Sequence, residues 1–521
     1  MNDLNYPRAL GMRRSRLRAV VPAVAAVAAV AAVGLAACTP PAVVGGVGGA
    51  PPTPSSVWHA PREAVEPREA VEPREPLAAR TAGARNWAVG QPAVKSSPVD
   101  QLLLGDVVEM ALSNSPQTRA SWAQARAASA SYGASRGRLV PSASFDLSGG
   151  PSQSVSQNPA RVPSERTLTT ATLSLQYLLW DFGARGGTIG AAHEALFAAG
   201  LNHNAAVQTV VLQAEGTYFT YQSSRGLLDA ARATVKTAET NLAAAERRHD
   251  VGLATIADVL QARTAFAQSQ LAAQTAEGNV QAARAQLALA LGMPANAAFD
   301  VAPDTAALGA LTIAENVDSL IERAVRNRPD VAAARALARQ SEQQIRVVRS
   351  AALPSVTFGA NSGKAMSNAP ALEGRTFAIT VGLSVPLFNG FGRELDLVAA
   401  QENFAAAVAR ADQARLQAVA QVFTSYWALR TAAQRVTTSA NLLASASQSE
   451  EVARGRYAEG VGSILDLLSA QNALADARAQ AVQSRWTWFT ALAQLSRDAG
   501  VLGTAGEPHL KLSPAVPGSP K

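Results

Sequence analysis

The chain has one cysteine, Cys38, in 521 residues, so no disulfide forms within it and no cysteine-based metal site is open to it. Aromatic residues make up 5% and charged residues 16%, against 48% hydrophobic. With so few large side chains, alanine must fill the interior, and closely packed helices are its natural use. The five histidines, His59, His193, His203, His249 and His509, show no paired metal-ligand spacing, and no cofactor is implied. A net charge of +7 and a pI near 9.8 suggest nucleic acid only superficially, because Arg8, Arg13, Arg14, Arg16 and Arg18 crowd the first 18 residues. No basic helix or aromatic-interleaved basic patch follows them, so nucleic acid is excluded as a partner.

What those first residues do form is a leader. Arg13 to Arg18 give a positive region, Ala19 to Gly34 an apolar one, and Leu35-Ala36-Ala37-Cys38 closes it. This resembles the lipobox of bacterial lipoproteins, which implies removal of residues 1–37 and lipidation of Cys38, with Thr39 favouring passage to the outer membrane. Residues 38–98 are rich in Pro, Ala, Gly and Val and repeat a six-residue unit from Pro61 to Pro76, which reads as a semi-extended tether. Residues 501–521 read as a proline-containing tail.

Between these ends the chain is built twice. Asn114, Pro116 and Pro141 recur 213 residues later as Asn327, Pro329 and Pro354. Tyr218, Arg248, Gly252, Asp258 and Gly292 recur after 208, as Tyr426, Arg456, Gly460, Asp466 and Gly500. The change of offset falls between two strands of each half, where a hairpin loop can shorten without disturbing what it joins. Residues 99–300 and 301–500 therefore read as two repeats of helix, strand, loop, strand, long helix, turn and helix.

The expected strands are about 140–148 and 168–178 in the first half, 353–360 and 376–387 in the second. All alternate with period two: Phe377, Ile379, Val381, Leu383, Val385 and Leu387 fall on one face, Ala378, Thr380, Gly382 and Ser384 on the other. In the helices, Leu228, Val235 and Leu242 step by seven with Ala231, Ala238 and Ala245 between them. Val259, Phe266, Ala273, Val280 and Leu287 continue the seam, and Leu467, Leu474, Ala481, Trp488 and Leu495 repeat it. Such a pattern predicts long antiparallel coiled coils. Asp181-Phe182-Gly183 and Gly390-Phe391-Gly392 look like kinase and dinucleotide motifs in isolation, but each follows an amphipathic strand without the partner motifs and reads as a strand-end turn. No catalytic constellation is present in the sequence, so an enzyme is not expected.

A strand of about 9 to 11 residues suffices to span a membrane when tilted. Four cannot close a barrel, and an open edge cannot sit in lipid because each unpaired backbone group there costs several kcal/mol. Three chains would supply twelve strands with a lumen, so a homotrimer is expected. At this point RHDVGLATIADVLQ (248–261), RYAEGVGSILDLLSAQ (456–471) and VPLFNGFG, together with the duplication and the lipobox, resemble the TolC family of outer-membrane efflux proteins, in the lipoprotein branch related to nodulation and multidrug efflux channels. The resemblance covers about Leu102 to Gly500. It implies a mixed α and β membrane protein: a trimeric twelve-stranded outer-membrane barrel, four strands per chain, continued into a periplasmic α-helical coiled-coil tunnel.

The implied role is a passive exit duct served by an inner-membrane pump, proton-driven or ABC-type, and a periplasmic adaptor. Type I protein secretion is the alternative function. A periplasmic adaptor lipoprotein is a more remote alternative, since an adaptor would carry one hairpin rather than two. Gly252 and Gly460 mark the helix reversals. The family's gate implies that Asp258 bonds Tyr457 and that Asp466 lines the closed mouth, although Gly462 and Ser469 replace a gating arginine and a second acid. The plainer reading of both acids is helix N-terminal charge stabilisation. Intact-mass measurement tests the leader: the mature parent should begin at Cys38 and carry acyl mass that Cys38→Ser lacks, and a parent without acyl mass contradicts the lipobox.

Overall fold

The computed structural model describes residues 50–59, 99–154, 164–302, 312–313, 315–368, 373–502 and 512–513. The leader, Cys38 and the Pro61–Pro76 repeats lie outside them.

The duplication survives to the residue. In the first half α1 (Leu104–Asn114), α2 (Pro116–Gly137), α3 (Ala184–Asp250) and α4 (Ile256–Ala290) contain 11, 22, 67 and 35 residues. In the second, α5 (Val317–Asn327), α6 (Pro329–Ser350), α7 (Gly392–Ala458) and α8 (Ile464–Asp498) contain 11, 22, 67 and 35. A helix of 67 residues at 1.5 Å rise is about 100 Å long. Pro116 and Pro329 stand where a helix has no use for an N–H, so each splits a pair of helices. Ser115 caps α2, its Oγ accepting from the N–H groups of Gln117 and Thr118. Its twin Arg328 has no cap function. It is buried, and its guanidinium donates to Asp330 at 2.6 Å and to Gln421 at 2.7 Å. Burial pushes the Asp330 carboxyl up, but the Arg328 bond and charge outweigh it and hold the group below the usual carboxylate range.

The strands β2 (Ser142–Ser154), β3 (Ser164–Trp180), β6 (Ser355–Ser367) and β7 (Gly374–Ser384) form one antiparallel sheet in the order β2-β3-β6-β7. β2, β3 and β6 run several residues further toward the hairpin tips than period-two alternation indicated. The tips, such as Ser148 to Ser154 and Asn361 to Ser367, are small or polar apart from Met366 and carry no apolar stripe, yet their backbones pair with neighbouring strands. At its other end β7 stops at Ser384 rather than Leu387. Pro386 has no N–H for a ladder. Short pairings also join β1 (Val99–Leu102) to β4 (Phe299–Val301), and β5 (Thr312–Ile313) to β8 (Leu512–Ser513), and neither was expected.

One face of the main sheet exposes Phe145, Leu147, Leu173, Ile379, Val381 and Leu383. Below the opposite, concave face lies a cavity of about 1080 Å³ lined by Ser142, Gln176, Thr357, Thr380, Gly382 and Ser384 among others. Sharp turns feed each sheet hairpin into its long helix. Phe182 and Gly183 take φ of +49° and +97°, and Gly390 and Phe391 take +68° and +63°. Asp181 satisfies the helix start, accepting from the N–H of Arg185 at 2.8 Å and of Gly183 at 3.3 Å. The strand-end reading of Asp181-Phe182-Gly183 therefore holds.

The main core lies where α1, α3, α4 and α8 meet, around Val107, Ala111, Tyr218, Leu287, Leu291 and Trp486. Phe219 stacks on Trp486 and Phe489 at 6.1 and 5.4 Å, tying the halves together. Smaller apolar clusters follow the seam along the hairpins, such as Ala245 with Val259 and Ala262. Part of the stretch read as a tether is seated here too. The Trp58 backbone N–H donates to Asn204 at 2.6 Å, its carbonyl accepts from Asn204 at 2.8 Å, and its ring packs on Phe197. Gly200 is obligatory opposite, since a Cβ there would come within 2.5 Å of the Trp58 ring. His203, fully buried, bridges Ser121 and the Ser56 carbonyl, and burial lowers its pKa.

Glu215 lies in α3, 5% exposed, and burial pushes its carboxyl up to about 7. A carboxyl raised in the folded state binds more protons there than when unfolded, so stability falls as pH rises from about 4.5 through about 7, by roughly 3 kcal/mol in all. The thermal midpoint of the helical signal in detergent should drop across that window. Glu215→Gln should flatten the dependence, and an unchanged slope in that variant contradicts the assignment.

Candidate functional site

The two helix reversals at the far end of the long helices are near copies. α3 ends with Gly252 at φ +77°, where the N–H of Leu253 donates to the Arg248 carbonyl at 2.7 Å and that of Gly252 to His249 at 2.9 Å. α7 ends with Gly460 at +79°, where Val461 donates to Arg456 at 3.0 Å and Gly460 to Tyr457 at 3.2 Å. Both are left-handed C-terminal caps, which only glycine adopts without strain. Three residues later Thr255 and Ser463 start the return helices α4 and α8. Asp258 accepts from the Thr255 N–H at 2.9 Å and Asp466 from the Ser463 N–H at 3.3 Å, while the Thr255 and Ser463 hydroxyls accept from the acids' own N–H groups. These are reciprocal capping boxes. The Ser463 hydroxyl and N–H hold the exposed Asp466 carboxyl below its ordinary range.

Tyr457 is buried, and its hydroxyl has no hydrogen-bond partner among the described residues of one chain. The Tyr457–Asp258 bond expected from the resemblance is therefore not made. The Asp258 carboxylate turns instead to its own cap at Thr255. Its charge still reaches Tyr457: burial raises the phenol's pKa, Arg248 opposes the rise, and Asp258 adds to it.

The link between the two reversals is Arg248, a residue the sequence marked as repeated but gave no role. Its Nη1 donates to the Tyr457 carbonyl at 2.8 Å and to that of Ala458 at 3.2 Å, and its guanidinium lies 4.9 Å from the Tyr457 ring centre. It thus adds a charged donor to carbonyls at the end of α7, one of which, that of Tyr457, also accepts from the Gly460 N–H, and positive charge there is favoured by the helix dipole. Higher up, Asn241 donates to Gln471 at 2.6 Å, a second polar tie between the halves. The site holds helix ends together: Arg248 ties the α3 reversal to the carbonyls of Tyr457 and Ala458, while, among the described residues, Asp258 and Asp466 each bond only within their own capping box.

A sheet with an apolar outer face, long paired helices and matched helix reversals define an outer-membrane channel subunit. The chain belongs to the outer membrane efflux protein family, whose model matches residues 107–293 and 320–501, one segment per half. Among its relatives, it is 30% identical to Protein CyaE of Bordetella pertussis over 427 residues, 81% of this chain and 89% of that one. It is 25% identical to the toluene efflux pump outer membrane protein TtgC of Pseudomonas putida over 412 residues, 76% and 82% of the two chains. The crystal structure of the outer membrane protein VceC from Vibrio cholerae shares the fold, with a TM-score of 0.67 at 23% identity over 76% of this chain and 96% of that one. The protein is thus an outer-membrane efflux protein with a four-stranded sheet and long paired helices in each chain.

Planar-bilayer recording separates the observed link from the expected one. Arg248→Gln removes charge-assisted bonds each contributing about 1.5 to 3 kcal/mol and should raise the open fraction by about tenfold or more. Tyr457→Phe deletes a hydroxyl with no partner among the described residues and should leave resting conductance at the parental level. The reverse pattern would restore the Tyr457 hydroxyl as the gate link.

Proposed function

We propose that three copies of this chain form a twelve-stranded barrel and one continuous tunnel, a passive exit duct for small toxic compounds or drugs. An inner-membrane pump, of the proton-driven resistance type in preference to an ABC transporter, delivers them through a periplasmic adaptor. The observation that carries the reading is the main sheet itself: apolar residues on one face, Thr380, Gly382 and Ser384 on the other, and two edges with no partner among the described residues. Such a sheet is unstable in lipid unless copies of it close. Efflux pump components among the relatives support small compounds as cargo. Lipidation of Cys38 would add a second anchor beside the barrel.

The duct's regulation is read from the mouth. Asp258 and Asp466, in three copies, would place six carboxylates around the opening, with Arg248 holding each pair of reversals shut until a partner displaces it. Growth assays test the cargo. Cells lacking the chain should become more susceptible to lipophilic toxic compounds, with resistance restored by resupply. Unchanged susceptibility together with retention of a normally secreted protein would favour the secretion role instead.

A further inference from the structure

The sheet contains one seam between its halves, β3 against β6, and two unpaired edges, β2 and β7. In the first hairpin Ser142 stands opposite Gln176, and in the second Ser355 stands opposite Ser384. β6 therefore repeats β2 after 213 residues and β7 repeats β3 after 208, the offsets that the flanking helices also keep. Since β7 is the twin of β3 and β2 the twin of β6, the internal seam is a template for the pairing of β7 with β2 of a neighbouring copy.

We propose that this intermolecular seam, resting on the trimeric reading above, has one specific register, with Leu383 opposite Leu147 and Thr380 opposite Gly150 of the next copy. Carrying each β3 residue forward and each β6 residue back converts Leu175 opposite Ala360 into the first pair and Thr172 opposite Gly363 into the second. Two features of the edges agree with this register. The faces match: Leu383 and Leu147 both belong to the exposed apolar face, whereas a slip of one residue would set Ser384 against Leu147. The threonine-glycine pair recurs as well. At the internal seam a Cβ on Gly363 would lie 3.2 Å from the Thr172 hydroxyl, as well as 2.9 Å from that of Thr376 in its own hairpin, so glycine makes room for threonines on both sides there. On the free edges Thr380 and Gly150 repeat the same two residue types, and the space beside Gly150 is open in the single chain. A slip of two toward Ser148 would keep the faces but place a side chain where the glycine belongs. It would also displace helices hanging from adjacent strands by about 7 Å, breaking the equal spacing of six half-chains in a ring.

Cysteine pairs read the register directly, because a disulfide needs Cα atoms about 4.4 to 6.8 Å apart. Directly opposed strand residues meet that range and diagonal ones do not. Three double variants would be oxidised in native membranes and run without reductant: Leu383→Cys with Leu147→Cys, the shifted Leu383→Cys with Gly149→Cys, and the internal Leu175→Cys with Ala360→Cys. The parent, with Cys38 alone, is the blank. The first pair should give a ladder reaching three linked chains, the second little or none, and the third a link within one chain that reports correct folding at that depth. A ladder from the shifted pair in place of the first overturns the register while leaving the trimer intact. Absence of intermolecular links from both pairs, with the internal link formed, overturns the trimeric barrel on which the register rests.

Discussion

The structure depends on one constraint: in a membrane every strand N–H and C=O must find a partner, and a four-stranded antiparallel sheet leaves two rows without one. Every other feature serves to present that sheet in a form that copies can complete. The halves are held at fixed relative height by Phe219 stacked on Trp486 and Phe489, by Asn241 with Gln471, and by Arg248 across the helix reversals. The turns at Gly183 and Gly390 convert strand direction into helix direction at equivalent places in both halves. A chain built this way is half of a repeating pattern twice over, and its edges are unfinished in the same manner as its middle is finished.

The helical part trades large cores for precision of spacing. Alanine-rich seams bring helices close, and the burial per residue is small, so termini matter more than in a compact domain. Each reversal therefore carries a left-handed glycine cap, a reciprocal hydroxyl-carboxylate box and, at the end of α7, an arginine on the terminal carbonyls. In the proposed trimer that arrangement would let the mouth respond to a partner: Arg248 links the two reversals through carbonyl oxygens and an aromatic face, contacts that another cation could take over.

Much of this was legible in the sequence, because a duplication with constant offsets reveals element lengths without any propensity argument. Gly252 and Gly460 announced the reversals, and Asp258 and Asp466 were read as helix N-terminal charges, whereas Thr255 and Ser463, which complete their capping boxes, were not singled out. Strand faces followed from alternation. The strand tips were not legible, since Gly149, Gly150 and the serines around them pair by backbone alone. The Trp58 clamp was hidden because its partner Asn204 lies 146 residues away and it sits in a proline-rich stretch. Arg328 and Arg248 were visible as residues but not as contacts. The expected Tyr457–Asp258 bond failed for a local reason: a carboxylate one turn into a helix finds its own N-terminal amide nearer than any residue of another hairpin.

The central claim is that closure of the sheet sets the number of copies. The mass of the purified protein in detergent, corrected for bound detergent, measures this most directly. Three chains per particle is the result the account requires, and a stable, folded particle of one chain would contradict it.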